Sequence, residues 1–307
     1  MRLVFLGTPA FAVPTLEAMA RAGHEVAAVI TQPDRPRGRG QHPAPPPVKE
    51  AALRLGFPVY QPERVRRPEA VEYLRGMAAE AMVVVGYGQI IPQSVIDLAP
   101  KGILNVHASL LPKYRGAGPV QWAIVNGETR TGVTTMRIDA GLDTGDMLLK
   151  AETGIGPEED AIELGKRLAV LGADLLVETL ARLDSIVPEK QDPAEATWAP
   201  LLKKEDGRID WSLPAQAIHN RVRGLQPWPG AQTWFRGVPL SIWKSRVAHG
   251  NGVPGAILAT RPLVVAAGQG ALELLEVQTE GRKRMPAADF VNGHRMHEND
   301  RLGEANS

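Results

Sequence analysis

Apolar residues recur along this chain in two rhythms. Short β-branched or apolar runs at 3–6, 26–30, 82–85 and 103–106 have the length of buried strands. They stand far enough apart for helical crossovers, and strands alternating with helices predict a mostly parallel sheet in an α/β fold. The first run ends at Gly7. The Ala-rich stretch 11–22, with Pro14 near its start and Gly23 beyond its end, then reads as a helix. A second rhythm appears in Leu164, Leu168, Leu171 and Leu175, continued by Leu176, Leu180 and Leu183. This three-and-four spacing marks a helix buried along one stripe and closes a first domain at 1–184.

Residues 185–202 carry Pro188, Pro193 and Pro200 among polar neighbours, which suits an extended linker. The second domain, 203–307, opens with a helix over 214–223. Five strand-like runs follow, at 232–235, 240–247, 255–259, 263–267 and 272–277, and five short strands predict a small β-barrel. In the first domain, TQPDRPRGRGQHPAPPPV over 31–48 is too rich in Pro, Gly and Arg for helix or strand, and predicts a long exposed loop. There is no internal repeat and no heptad seam.

Composition narrows the classes. A chain of 307 residues with 44% hydrophobic and 22% charged residues has the make-up of a globular protein of two domains. No apolar run reaches membrane-spanning length, and the N-terminus enters a strand pattern rather than a signal peptide, so the expected compartment is the cytoplasm. With no Cys, disulfides, thiolate zinc sites and a cysteine nucleophile are excluded. Net charge is +1, yet from Lys203 onward 14 Lys and Arg face 10 Asp and Glu. That excess is compatible with RNA, although on charge alone an ordinary soluble domain is the favoured explanation. Without an apolar seam the expected state is a monomer.

Candidate chemistry concentrates in two places. In GILNVHASLLPKYRGAGP, a strand pattern runs into a loop, and Asn105 and His107 stand two apart. Strand periodicity puts both side chains on one side, near the carboxyl end where open α/β sheets place ligands. In DAGLDTGD, Asp139, Asp143 and Asp146 alternate with Gly141 and Gly145 just after the strand-like TGVTTMRI. A carboxylate there can orient a histidine and stabilise its protonated form, and His107 with Asp143 would make such a pair. Each residue also has a structural explanation: Asn105 ending a strand, His107 satisfied in the interior, Asp143 shaping a turn. Glycine-spaced carboxylates without the twelve-residue calcium pattern predict no metal. GTPAF after the first strand lacks the GxGxxG pattern, which leaves a nicotinamide cofactor unsupported.

Taken together, TQPDRPRGRG, VVVGYGQIIP, GILNVHASLLPKYRGAGP and GLDTGDML resemble, in order and spacing, the methionyl-tRNA formyltransferase family of folate-dependent formyltransferases. RIDWSLPAQAIHNRVRGLQPWPGA is similar to the start of that family's second domain. The resemblance spans nearly the whole chain. It implies a Rossmann-like formyltransferase domain followed by a small barrel of the oligonucleotide-binding (OB) type, and formyl transfer from 10-formyltetrahydrofolate to the amino group of initiator methionyl-tRNA.

By the same resemblance Asn105, His107 and Asp143 form the catalytic trio, and Ser109, Leu110, Leu111 and Pro112 line the tetrahydrofolate site. The backbone of Gly86, Tyr87, Gly88, Ile90 and Ile91 and the loop of Ala140, Gly141, Leu142 and Thr144 complete the pterin pocket. Arg35, Arg37 and Arg39 contact tRNA beside the end of the acceptor stem, where the family distinguishes an initiator by its weak terminal pair. After Gly40 the sequence departs from the common pattern, with QHPAPPP where many relatives carry lysines. Arg282, Lys283 and Arg284 form a second basic cluster expected to hold tRNA phosphates. Trp228, Trp234 and Trp243 suit base stacking in type, but core packing is the expected role.

Overall fold

The computed structural model describes residues 1–37, 42–298 and 300–303 of the chain. Strand β1 (Arg2–Gly7), helix α1 (Val13–Arg21) and β2 (Glu25–Ile30) open it. A short ribbon of β3 (Arg35–Arg37) and β4 (His42–Ala44) leads to α2 (Pro47–Arg54), β5 (Val59–Tyr60), α3 (Pro68–Gly76) and β6 (Ala81–Val85). Then come α4 (Gln93–Ile96), β7 (Ile103–His107), α5 (Pro119–Val125), β8 (Arg130–Arg137), β9 (Met147–Gly154) and α6 (Ala161–Arg182). The sheet order is β5-β2-β1-β6-β7-β8-β9. The first five strands pair in parallel and β8 and β9 are added antiparallel, so the expected mostly parallel sheet is present. Every residue of β6 is buried, which is why it reads as an unbroken apolar run. Helices α1, α2, α3 and α5 carry proline in their first two positions, where a fixed φ helps and no N–H is needed.

The chain divides into two compact units. One comprises 1–116, 130–154 and 165–199; the other comprises 117–129, 155–164 and 200–307. Within the first unit, α6 approaches the sheet at Gly172, where a Cβ would stand 2.7 Å from Val106 and 3.2 Å from Val133. Only glycine permits that approach. It presses the Val106 face of β7 into the core and leaves the alternate face, with Asn105 and His107, to the opposite side.

The second unit continues with α7 (Ala215–Gly224), β10 (Ala231–Phe235), β11 (Val238–Ala248), β12 (Ile257–Thr260), β13 (Leu263–Ala266), β14 (Ala271–Thr279), β15 (Met285–Pro286) and α8 (Ala287–His294). The five strands expected from sequence are present in the order β10-β11-β14-β13-β12, with β15 added beside β14. The C-terminal segment links the two ends of this sheet: Leu302 bridges Phe235 of β10, and Arg301 bridges Ala256 next to β12. Its core is built on Trp211, Ile218, Phe235, Leu240, Phe290 and Leu302, and Phe235 meets Phe290 edge-on at 5.6 Å.

Three expectations are corrected. Part of 31–48 is a β-ribbon, with Pro36 facing Pro43 between the pairs Arg35–Ala44 and Arg37–His42. Two opposed prolines fit a pair that exchanges no hydrogen bonds, so the ladder survives on its neighbours. Residues 185–199 are not a free linker, because Glu189 pairs with Met147 and Trp198 with Arg115. The three tryptophans lie outside the buried core: Trp228 is exposed, while half-buried Trp234 and Trp243 sit beneath Arg208 and Arg284. No helix among the described residues is long and apolar enough to cross a membrane.

A buried histidine ties segment 155–164 to α7. His219 Nδ1 meets Ser245 Oγ at 3.1 Å and Nε2 meets Pro157 O at 3.4 Å, with Glu158 at 3.7 Å. Arg223 donates to the carbonyls of Gly156 and Glu159. Burial, aided by Arg223, pulls the His219 pKa below its ordinary 6.5 against the opposing pull of Glu158 and the Pro157 carbonyl. Between those two values the unfolded chain binds a proton that folded His219 refuses. Its contribution is therefore complete above pH 6.5 and declines as pH falls toward the folded value. Thermal melting of the second unit should weaken below pH 6.5 in the native chain and less steeply in His219→Gln. Equal slopes in the two proteins would refute this account.

Candidate active site

The site is assembled on the open face of β7. The loop after β8 leaves beside the start of β7, where Ile138 N–H donates to Ile103 O at 2.8 Å, and then folds back across that face. Asp143 rides on it. Asn105 Nδ2 lies 3.4 Å from Asp143 Oδ1, and His107 Nδ1 lies 3.6 Å from Asp143 Oδ2. Three residues expected to work together, 38 positions apart at the widest, are thus brought to one point.

Firm and loose contacts are unequally distributed around this point. His107 Nε2 is 2.9 Å from Tyr114 O; a carbonyl only accepts, so Nε2 carries a proton and the ring is fixed from that side. Asp143 Oδ2 accepts Gly116 N–H at 2.9 Å. By contrast, the Asn105 and His107 approaches to Asp143 lie beyond the usual 2.7–3.2 Å or so of a strong hydrogen bond. Asn105 Nδ2 and, when protonated, His107 Nδ1 are therefore two donors held near a carboxylate but not saturated by it. Such a pair can turn to an oxygen that gains negative charge. His107 is buried and Asp143 half-buried, so these charges act with reduced screening.

Two non-glycine residues here adopt left-handed backbone, Tyr114 at φ +60° and Asp143 at φ +53°. Aspartate tolerates that region and tyrosine does so rarely; conformations of this kind persist where surrounding bonds over-determine them. Asp139 supplies some of those bonds, accepting Gly141 N–H at 3.0 Å and Thr144 Oγ1 at 2.8 Å. Gly145 passes so close to β8 that a Cβ would lie 1.9 Å from Arg137 O. The glycines of DAGLDTGD thus serve close approach. Asp139 spends its carboxylate on the loop itself, and among the described residues no cluster of three His, Asp or Glu side chains is placed to hold a metal.

The expected folate-contact residues sort differently by side chain. Ser109 is buried and its hydroxyl donates to Lys113 O at 2.6 Å. Leu111 is buried against Met136 and Met147, Pro112 is also buried, and Leu110 is half-buried. Thr134, opposite His107 in β8, pins this run by donating to Ser109 O at 2.7 Å and accepting Leu111 N–H at 3.1 Å. What 109–112 can offer a ligand is chiefly backbone. Tyr87 is a core residue, its hydroxyl without a hydrogen-bond partner among the described residues and pushed up to about 12 by burial and by Tyr60; its carbonyl is taken by Thr8 and Gln32. Gly86 and Gly88 turn with positive φ. Ile91 is buried, but Ile90 is 88% and Leu142 59% exposed, while Ala140 and Gly141 are exposed and Thr144 is half-buried. Ile90 and Leu142 are thus bare apolar side chains on the loops that follow β6 and β8.

Among the basic candidates, Arg35 stands exposed on the ribbon, 3.6 Å from Glu63. Below it, Asp34 accepts Lys49 Nζ at 2.8 Å and Gln61 Nε2 at 2.7 Å, contacts that hold its carboxyl below the usual range. Arg37 belongs to β3, and Arg39 lies outside the described residues. Arg282, Lys283 and Arg284 are exposed, and Arg284 lies 3.4 Å above the Trp243 ring. Gln278 braces that turn, accepting Trp243 Nε1–H at 2.8 Å and donating to Arg282 O at 2.6 Å. Sequence reasoning missed Thr134, Tyr114, Gly116, Gln191 and Thr197, all of which hold the site; only neighbours distant in sequence reveal them.

Comparison with known proteins is consistent along the length of the chain. Residues 1–180 match the formyl transferase family model and 201–295 its C-terminal domain. Methionyl-tRNA formyltransferase of Solibacter usitatus (strain Ellin6076) is 79% identical over 308 residues, covering 99% of each chain. That of Koribacter versatilis (strain Ellin345) is 58% identical over 312 residues, covering 100% of each. A crystal structure of an N-formyltransferase from Helicobacter canadensis, with folinic acid and dTDP-3-aminofucose, shares the fold at a TM-score of 0.67 and 18% identity over 89% of this chain and 99% of that one. HypX from Aquifex aeolicus in complex with tetrahydrofolic acid does so at 0.63 and 17%, over 95% of this chain and 47% of that one.

The Asp139 contacts make a prediction that stands apart from any reaction. Hydrogen bonds to a charged group contribute about 1.5–3 kcal/mol each, and about 1.4 kcal/mol is tenfold in an equilibrium. Asp139→Ala should lower amide hydrogen-exchange protection over 140–145 by roughly tenfold or more while β7 exchanges as before. Unchanged protection of the loop would show that Asp139 does not hold it.

Proposed function

Because this chain belongs to the methionyl-tRNA formyltransferase family, we propose that it transfers the formyl group of 10-formyltetrahydrofolate to the amino group of methionine on initiator tRNA. The product is N-formylmethionyl-tRNA, and the setting is the cytoplasm, where charged tRNA is used. The observation that carries the reading is end-to-end similarity at 79% identity, joined to the convergence of Asn105, His107 and Asp143 on one point.

The neutral amine attacks the formyl carbon, and the formyl oxygen takes on negative charge in a tetrahedral intermediate. Asn105 Nδ2 and protonated His107 Nδ1 are the donors for that oxygen. Asp143 stabilises the charged ring and assists removal of the proton that the attacking nitrogen must shed. As the intermediate collapses, the bond from carbon to the folate nitrogen breaks and that nitrogen is protonated. Ser109–Pro112, 86–91 and 140–144 form the folate site, the first through backbone and the others through exposed loop.

The tRNA is held at two basic places, one on each unit. Arg35 and Arg37 belong to the ribbon, whose base is anchored by Asp34, Lys49 and Gln61, and Arg39 follows them in sequence. This ribbon enters beside the end of the acceptor stem. Arg282, Lys283 and Arg284 contact phosphates, and the Arg284–Trp243 stack with its Gln278 brace presents them with little freedom left to lose.

Removal of one oxyanion donor typically costs about 2.7–4 kcal/mol of transition-state stabilisation, or roughly 10²–10³ in rate. Single-turnover formylation of initiator methionyl-tRNA by Asn105→Ala should fall by that amount, and the native enzyme should formylate initiator faster than elongator methionyl-tRNA. Normal speed in Asn105→Ala would remove that donor from the mechanism. Equal rates on the two tRNAs would remove the initiator specificity.

A further inference from the structure

The segment 189–199 touches the catalytic residues at one remove, and does so repeatedly. Tyr114 presents the carbonyl that holds His107 Nε2, and its own N–H is held by Thr197 Oγ1 at 2.8 Å. Arg115 N–H donates to Thr197 O at 2.9 Å, and Arg115 O accepts Ala199 N–H at 2.8 Å. Gly116, whose N–H holds Asp143 Oδ2, lies against Ala199 so closely that a Cβ would be 2.6 Å from its carbonyl oxygen. Buried Gln191 joins the other side, its Nε2 donating to Asp143 O and Gly145 O at 2.8 Å each and its Oε1 accepting Arg115 Nε–H at 2.9 Å. The left-handed backbone at both Tyr114 and Asp143 is thereby fixed from one segment.

We propose that 189–199 is a positioning clamp for formyl transfer, with Gln191 and Thr197 as positioning residues that set the separation between His107 and Asp143; the proposal rests on the catalytic reading of the Asn105–His107–Asp143 trio. Gln191 fixes the carboxylate's main chain. Thr197 fixes the carbonyl that aims the imidazole. Neither side chain reaches the reacting atoms, so loss of either changes where the donors stand; Thr197 acts on Tyr114, away from the loop 140–144, whereas Gln191 also braces that loop's main chain.

The test uses the full chain in formylation of initiator methionyl-tRNA, with kcat and both KM values measured for Thr197→Val, Thr197→Ser, Gln191→Met and, as a control, His107→Ala. Thr197 is exposed, so its valine variant keeps the fold even where the buried Gln191 change does not, and thermal melting confirms it. A displacement of about 1 Å in a catalytic group costs up to roughly 100-fold. Thr197→Val should therefore lose between about tenfold and 100-fold in kcat with both KM values within about twofold of native, and Gln191→Met should lose as much in kcat, with any rise in KM confined to the folate donor. Thr197→Ser, which keeps the hydroxyl, should restore most of the rate. A native kcat in Thr197→Val, or a change confined to KM, beside an inactive His107→Ala would overturn the clamp and leave the trio standing. A native kcat in His107→Ala would overturn the trio, and the clamp with it.

Discussion

The hydrogen bond from Gly116 N–H to Asp143 Oδ2, at 2.9 Å, is the contact on which the rest of this site depends. It holds a carboxylate on a long loop opposite a histidine on a strand, and leaves that carboxylate near two donors that it does not saturate. A closer Asp143 would bind Asn105 and His107 too firmly for either to serve an incoming oxygen. A more distant one would leave a buried imidazolium without a counter-charge, an expensive arrangement in a low-dielectric interior. The intermediate distances of 3.4 and 3.6 Å suit a site whose strongest interaction is reserved for the transition state.

Keeping that bond in place engages much of the first unit. Gly172 lets α6 press on Val106, which sets the strand face that carries Asn105 and His107. Thr134 ties the 109–111 backbone to β8, and Asp139 with Gly145 folds the Asp143 loop back over the sheet. Preorganisation here is mostly backbone, placed by glycines and by side chains that accept or donate to main-chain groups. That is economical, because fixed dipoles need no reorganisation as charge develops.

Much of this was legible in the sequence because it follows local rules. Asn105 and His107 share a face by strand periodicity, the apolar runs at 3–6 and 82–85 that became β1 and β6 are buried on both sides, and those at 26–30 and 103–106 became β2 and β7. The leucine stripe became α6, and five strand-like runs in the second half became five strands. What escaped was non-local or specific to one side chain. Gln191 reaches partners 48 and 76 residues away, so a proline-bearing polar stretch looked like a linker. Pro36 and Pro43 argued against a strand singly and are compatible with one as a facing pair. Trp243 lies half-buried beneath Arg284 rather than in the core, and Ser109 turns its hydroxyl inward onto Lys113 O.

The most direct test of the account is Asp143→Asn, which keeps the shape of the side chain and removes its charge. Single-turnover formylation of initiator methionyl-tRNA should fall by at least about 100-fold, since a neutral amide cannot stabilise charged His107, while equilibrium binding of the folate donor and of tRNA stays native. Native single-turnover speed in this variant would contradict the account, because the carboxylate would then have no part in the chemistry.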